Sequence, residues 1–137
     1  MNHVADQRHA SVLHPMDTKH YMVATDFDVV VLRQALRGFA RALDLSLVQQ
    51  ARITAAISDI ARTVLAQRWR MVFTMHVHAV DVRRALTVVC QTADQQPHPS
   101  SHEFAARLNV DSVRQLLDEA IISASDASPV LTVRIWV

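Results

Sequence analysis

A chain of 137 residues with a single glycine, Gly38, has few places where its backbone can turn left-handed at no cost. It also has no glycine-rich loop whose amides could close around a phosphate. Gly38 itself falls inside a helical pattern. Val29, Leu32, Leu36, Phe39 and Leu43 recur every three or four positions, and Arg33, Arg37 and Arg41 lie outside that stripe. Glycine in a helix interior costs about 1 kcal/mol relative to alanine, which a close helix or sheet contact would offset.

The rest of the chain is punctuated by other means. His20 to Thr25 has strand character, and Asp26 or Asp28 is placed to cap the helix that follows. Asp44-Leu45-Ser46 breaks the pattern. Ser46 with Gln49 has capping-box spacing and opens a second helix to about Gln67, burying Ile53, Ile57, Ile60 and Val64. Arg70 to Val77 and Arg84 to Gln91 are rich in β-branched and large apolar residues, and the turn near Val80-Asp81 predicts an antiparallel pair. Thr92 to Ser101, with Pro97 and Pro99, reads as a loop. A further helix starts near Asp111 and buries Val113, Leu116, Leu117 and Ile121; Ser128-Pro129 then turns the chain into a last strand, Val130 to Val137. Residues 1–18, with His3, His9 and His14 and a break at Pro15, read as a flexible N-terminal arm ahead of one domain, 19–137. This order predicts an α+β protein built as a two-layer α/β sandwich.

Composition excludes several function classes. With 50% hydrophobic residues, 20% charged residues and a formal charge of +1, the chain has no basic block or stripe of the kind that reads nucleic acid. Cys90, the one cysteine, sits in the apolar run Leu86 to Cys90, forms no internal disulfide and fits a reducing cytoplasm. No signal core opens the chain and no apolar run is long enough to span a bilayer, so neither export nor membrane insertion is expected. His76 and His78 share a strand face while His98 and His102 lie apart, a spacing that names no metal site. No serine has the sharp-turn context of a hydrolase nucleophile. Trp69, between Arg68 and Arg70, is placed at a core boundary, and Trp136 is placed to cover an edge or an exposed patch of the sheet.

The segment Asp28 to Val64, above all Gln50-Ala51-Arg52-Ile53-Thr54-Ala55-Ala56-Ile57-Ser58-Asp59-Ile60-Ala61-Arg62-Thr63, resembles the switch serine kinases and anti-sigma-factor kinases of the bacterial general stress response. Those proteins share the ATP-binding fold of histidine kinases, DNA gyrase B and the Hsp90 chaperone. The resemblance implies a mixed, mostly antiparallel sheet with helices on one face, and its element order extends from about Tyr21 to Val137. In that family the second helix carries a glutamate that acts near the phosphoryl centre and, four residues on, an asparagine that binds magnesium. The matching positions are Asp59 and Thr63, on one helix face, with a carboxylate one methylene shorter and a hydroxyl in place of an amide. Asp94 stands nearest the adenine-reading aspartate. Gln96 and His98, and then Ala105, Arg107 and Asn109, occupy positions that are glycine in the family's phosphate loops.

The resemblance therefore implies a degenerate form without the nucleotide loops. The expected function is that of a non-catalytic regulatory protein-binding domain in a bacterial stress or sigma-factor pathway, a pseudokinase without cofactor. Its expected partner is an anti-sigma-antagonist-type domain, a phosphatase or a sigma factor, with a homodimer as the other assembly. Arg33, Arg37, Arg41, Arg52 and Arg62 on the first two helices are the expected partner-binding residues. The competing expectation is a protein-serine kinase acting on a small anti-sigma-antagonist-type domain. In that case Asp59 is the catalytic carboxylate, and Thr63, Asp94 and Arg107 hold ATP and magnesium.

Overall fold

The structure, a computed structural model, describes residues 18–93, 99–125 and 128–137. Residues 1–17 of the expected arm, and Asp94, Gln96 and His98, lie outside it. The described chain runs β1 (Lys19–Val23), α1 (Asp26–Ala42), α2 (Leu47–Ala66), β2 (Met71–Val80), β3 (Arg83–Thr92), α3 (Ser101–Leu108), α4 (Val110–Leu116), β4 (Glu119–Ser125) and β5 (Ser128–Trp136). The strands form one sheet in the order β1-β2-β3-β5-β4. Each pairing in it is antiparallel, so the parallel component of the expected mixed sheet is not found among the described residues. Connectivity explains this. The helical hairpin α1–α2 returns the chain to the end where β1 stopped, so Val23 pairs with Met71; β2 and β3 are joined by a tight turn, and β4 pairs with β5 from Ser125 opposite Ser128.

Both long helices start at capping boxes. Thr25 caps α1, its hydroxyl accepting from the Asp28 amide while the Asp28 carboxylate accepts from the Thr25 and Ala24 amides at 2.9 Å. Of the two expected caps, Asp28 thus serves from the third helical position. Those amide hydrogen bonds, that of Ala24 foremost, hold the Asp28 carboxyl below its ordinary value. Ser46 and Gln49 form the second box as the spacing predicts, and Gln49 also donates to the carbonyl of Trp136 at 2.7 Å, tying α2 to the last strand.

The sheet's periodicity of two puts Phe73, Met75, Leu86, Val88, Cys90, Leu131, Val133 and Ile135 on one face, where they are buried under the helices. Ile53, Ile57, Ile60 and Val64 of α2, with Val29, Leu32 and Leu36 of α1, complete this core. Fully burying one such side chain contributes about 1.5–3 kcal/mol. The other sheet face carries His76, His78, Thr87, Thr132, Arg134 and Trp136. Trp69 is half-buried, packed against Phe104 of α3 with ring centroids 5.9 Å apart, the core-boundary place expected of it.

Two expectations are corrected in the second half. The stretch from Ser101 is helical at once, as α3, and the chain does not wait until Asp111 to enter a helix. The expected helix through Ile121 instead stops at Leu117, which is extended at φ −122° and ψ 159°. The Asp118 amide donates to the Arg134 carbonyl and Ile121 enters β4, half exposed, because pairing with β5 satisfies a whole row of backbone groups. Among the described residues, no helix is long and apolar enough to cross a membrane.

Candidate functional site

Among the described residues, the positions that would carry kinase chemistry lie on two different helices. Asp59 is exposed on α2 and its carboxylate accepts from Arg62 Nη1 at 3.0 Å, one turn along the same helix. Thr63 lies one residue beyond Arg62, about 100° round the helix, and is half-buried. Arg107 is exposed in the last turn of α3. Asp94 is outside the described residues. Ala105 and Arg107 stand inside α3, where their amides are committed to the helix and are not free to converge on a phosphate. Asn109 adopts the left-handed conformation, φ 52° and ψ 57°, between α3 and α4, so one glycine-like position keeps the glycine-like backbone with an asparagine in it. Among the described residues no group of three or more His, Cys, Asp or Glu is arranged to hold a metal ion. Asp59 with a guanidinium as its near neighbour, and Thr63 with a neutral hydroxyl, do not fit a magnesium–nucleotide site.

What the fold does assemble is a groove between α1 and α2, with a volume of about 440 Å3. Arg33, Arg37 and Arg41 line its α1 wall at successive turns. The α2 wall is Gln50, Ala51, Thr54, Ala55, Ser58, Asp59 and Arg62. Four arginines line this space against one acidic residue, Asp59. Arg62 is paired with Asp59, while Arg33, Arg37 and Arg41 have no ion pair among the described residues. Arg52, expected alongside them, is exposed on α2 but is not among the lining residues.

Two buried polar atoms distinguish the groove from an ordinary charged surface. Ser58 is only 3% exposed, and its Oγ has no hydrogen-bond partner, not even the carbonyl of the preceding turn. Arg33 Nε is likewise buried without an acceptor. Leaving a buried donor unsatisfied costs about 1–3 kcal/mol, so such atoms are uncommon unless something else supplies the partner. The arginines are legible in the sequence as candidate contacts, whereas Ser58, Thr54 and Gln50 are not. The signal was available, since 50/51, 54/55, 58 and 62 repeat at helical spacing beside the apolar stripe, but that spacing does not reveal what packs opposite.

Elsewhere Glu119 and Cys90 are engaged structurally. Glu119 accepts from Trp136 Nε1 at 2.7 Å and from Arg134 Nη1 at 3.2 Å, and Arg83 stacks over the Trp136 ring at 4.5 Å. Those contacts, led by the indole hydrogen bond, keep the Glu119 carboxyl below its ordinary value. Burial pushes the Cys90 thiol far up, which removes it as a nucleophile. No protein-family model matches this chain, and no curated protein matches its sequence.

Proposed function

We propose that this chain is a non-catalytic protein-recognition domain, a degenerate relative of the switch and anti-sigma kinases, which uses the α1–α2 groove to engage an anionic surface on a regulatory partner. The observation that carries the reading is the convergence of Arg33, Arg37, Arg41 and Arg62 on one cleft with a single carboxylate among them. Guanidinium forks read carboxylates and phosphates with fixed geometry and, at a partly desolvated surface, steer association as well as hold it. The groove is built on two helices anchored by capping boxes, so its cations are presented on a rigid frame. The loss of catalysis is supported by the use of Asp59 as the partner of Arg62 and by side chains at the glycine-like positions 105, 107 and 109.

Two measurements test this together. Calorimetric titration of the full chain with ATP and magnesium is expected to show no saturable binding at millimolar nucleotide. Micromolar binding abolished by Asp94→Ala would instead restore the kinase reading. Affinity capture from cells with wild-type chain and with the Arg37→Glu/Arg41→Glu variant is expected to recover a partner with the first and lose it with the second, at equal melting temperature. Both arginines are exposed, so reversal leaves the core intact. Equal recovery by the two proteins would remove the groove from partner binding.

A further inference from the structure

We infer that the α1–α2 groove is a phosphate-monoester site, with Arg33 and Ser58 as its inner donors and Arg37, Arg41 and Arg62 as its outer cations. The inference rests on the proposed recognition role of this groove and names the chemistry that the groove reads.

A general preference for acidic surface needs only exposed charge, but this groove holds more than that. Ser58 Oγ and Arg33 Nε are both buried and both lack partners, and both residues line the same cavity. Because α1 and α2 form an antiparallel hairpin, the early arginine of α1 faces the later half of α2. That places Arg33 at the level of Ser58 and Arg41 at the level of Gln50, with Arg62 one turn beyond Ser58 on α2. The inner end thus combines one hydroxyl and one guanidinium edge, with the outer Arg62 guanidinium one turn further along α2.

The ligand's charge and oxygen count follow from these donors. Four arginines less one aspartate leave three positive charges for an incoming anion. A carboxylate brings one negative charge on two oxygens. A phosphate monoester brings about 1.5 to 2 negative charges and three strong acceptor oxygens, enough to meet a hydroxyl and two guanidinium groups at once. The volume of about 440 Å3 is more than a bare phosphate needs and matches an ester on a larger body. Asp59 opposes such a ligand. Its carboxylate lies on the groove and keeps Arg62 occupied, so binding requires Arg62 to leave Asp59 or to be shared with it.

Calorimetry on the full chain at fixed ionic strength tests this with a short phosphoserine peptide, its unphosphorylated and glutamate versions, and free O-phosphoserine. The phosphopeptide is expected to bind at least about tenfold tighter than either other peptide. Ser58→Ala and Arg33→Gln are expected to weaken it about tenfold each. Asp59→Asn is expected to tighten it, an outcome that a catalytic or metal-holding carboxylate does not produce. Arg84→Gln, on β3 and away from the groove, serves as the control without effect. Equal affinity for peptide and free phosphoserine supports a site that reads the ester alone; tighter peptide binding supports a protein-borne ester. Equal binding of phosphorylated and glutamate peptides overturns the phosphate assignment while leaving the recognition role standing. No binding by any acidic probe, together with loss of partner capture in the groove variant, overturns the phosphate assignment and keeps the proposed function. Absence of both removes the two together.

Discussion

At the scale of single residues, the chain uses its one glycine where none is required. Gly38 is exposed in α1, and a Cβ built there meets nothing within 4 Å, so the close contact that would offset its cost is absent. Among the described residues four non-glycines, Asp44, Arg68, Asp81 and Asn109, take positive φ between 52° and 60°. Asp44 and Arg68 each close a helix in the same way. Asp44 donates to Arg41 and Leu45 to Ala40 after α1, while Arg68 donates to Leu65 and Trp69 to Val64 after α2. Aspartate and asparagine tolerate this backbone better than arginine does, since their short side chains hydrogen-bond locally. Gly38→Ala is therefore expected to raise stability by about 1 kcal/mol. Arg68→Gly is expected to raise it by about 1 kcal/mol as well, by relieving the left-handed strain. Urea denaturation of both variants measures the two gains, and a loss in either variant would show a contact that this geometry does not contain.

At the scale of elements, β4 and β5 are joined by a titratable link. The Glu119 carboxyl is held below its ordinary value of 4.5 chiefly by the hydrogen bond from the Trp136 indole; desolvation opposes this, and Arg134, then His78, lower it further. A carboxyl depressed in the folded state binds fewer protons than in the unfolded chain. Its stabilisation is thus fully present above about pH 4.5 and is lost as pH falls through the lower folded value. Asp28, whose carboxyl caps α1, has the same sign and an ordinary value of 3.8. Acid is therefore expected to loosen the β4–β5 link and the start of α1 together. The Trp136 indole N–H resonance is expected to shift in the same acid range, and Glu119→Gln is expected to make the acid limb of the stability curve shallower. An unchanged acid limb would show that Glu119 is not depressed.

The elements also show which signals the sequence carried. Ser46 with Gln49, the three-and-four spacing of Ile53, Ile57, Ile60 and Val64, and the paired runs 70–77 and 84–91 are local patterns, and each became the element it predicts. The run Leu116 to Ile122 misled because its apolar spacing suits a helix as well as a strand, and the decision rests on β5, which is distant in sequence. The arginines of the groove were visible one by one. Their convergence, and the exclusion of Arg52, depend on how α1 and α2 face each other.

At the scale of the molecule, one apolar core is shared by both helix pairs and by one face of the sheet. Ile57 is fully buried at the centre of α2, so Ile57→Ala removes contacts that this core cannot recover by local collapse. The expected loss is about 2–5 kcal/mol, a large fraction of the 5–15 kcal/mol typical of a domain of this size. Helical circular dichroism and the fluorescence of Trp69 and Trp136 are expected to report one coincident transition at a lower midpoint. Separate transitions would mean that the α1–α2 hairpin and the sheet unfold independently.

The sequence by itself determined what is local. Capping residues start the helices, periodicity chooses helix or strand, and a chain with one glycine cannot build a glycine-rich phosphate loop. Those signals act within a turn or two of chain, so they are legible from neighbours alone. Tertiary structure decided the strand identity of Glu119–Ser125, the antiparallel sheet order and the groove in which Arg33 and Ser58 keep unpartnered donors beside three further arginines. Each of these depends on groups far apart in sequence brought within reach of one another, where the energy of pairing or of leaving a donor unpaired is set by the partner that folding supplies.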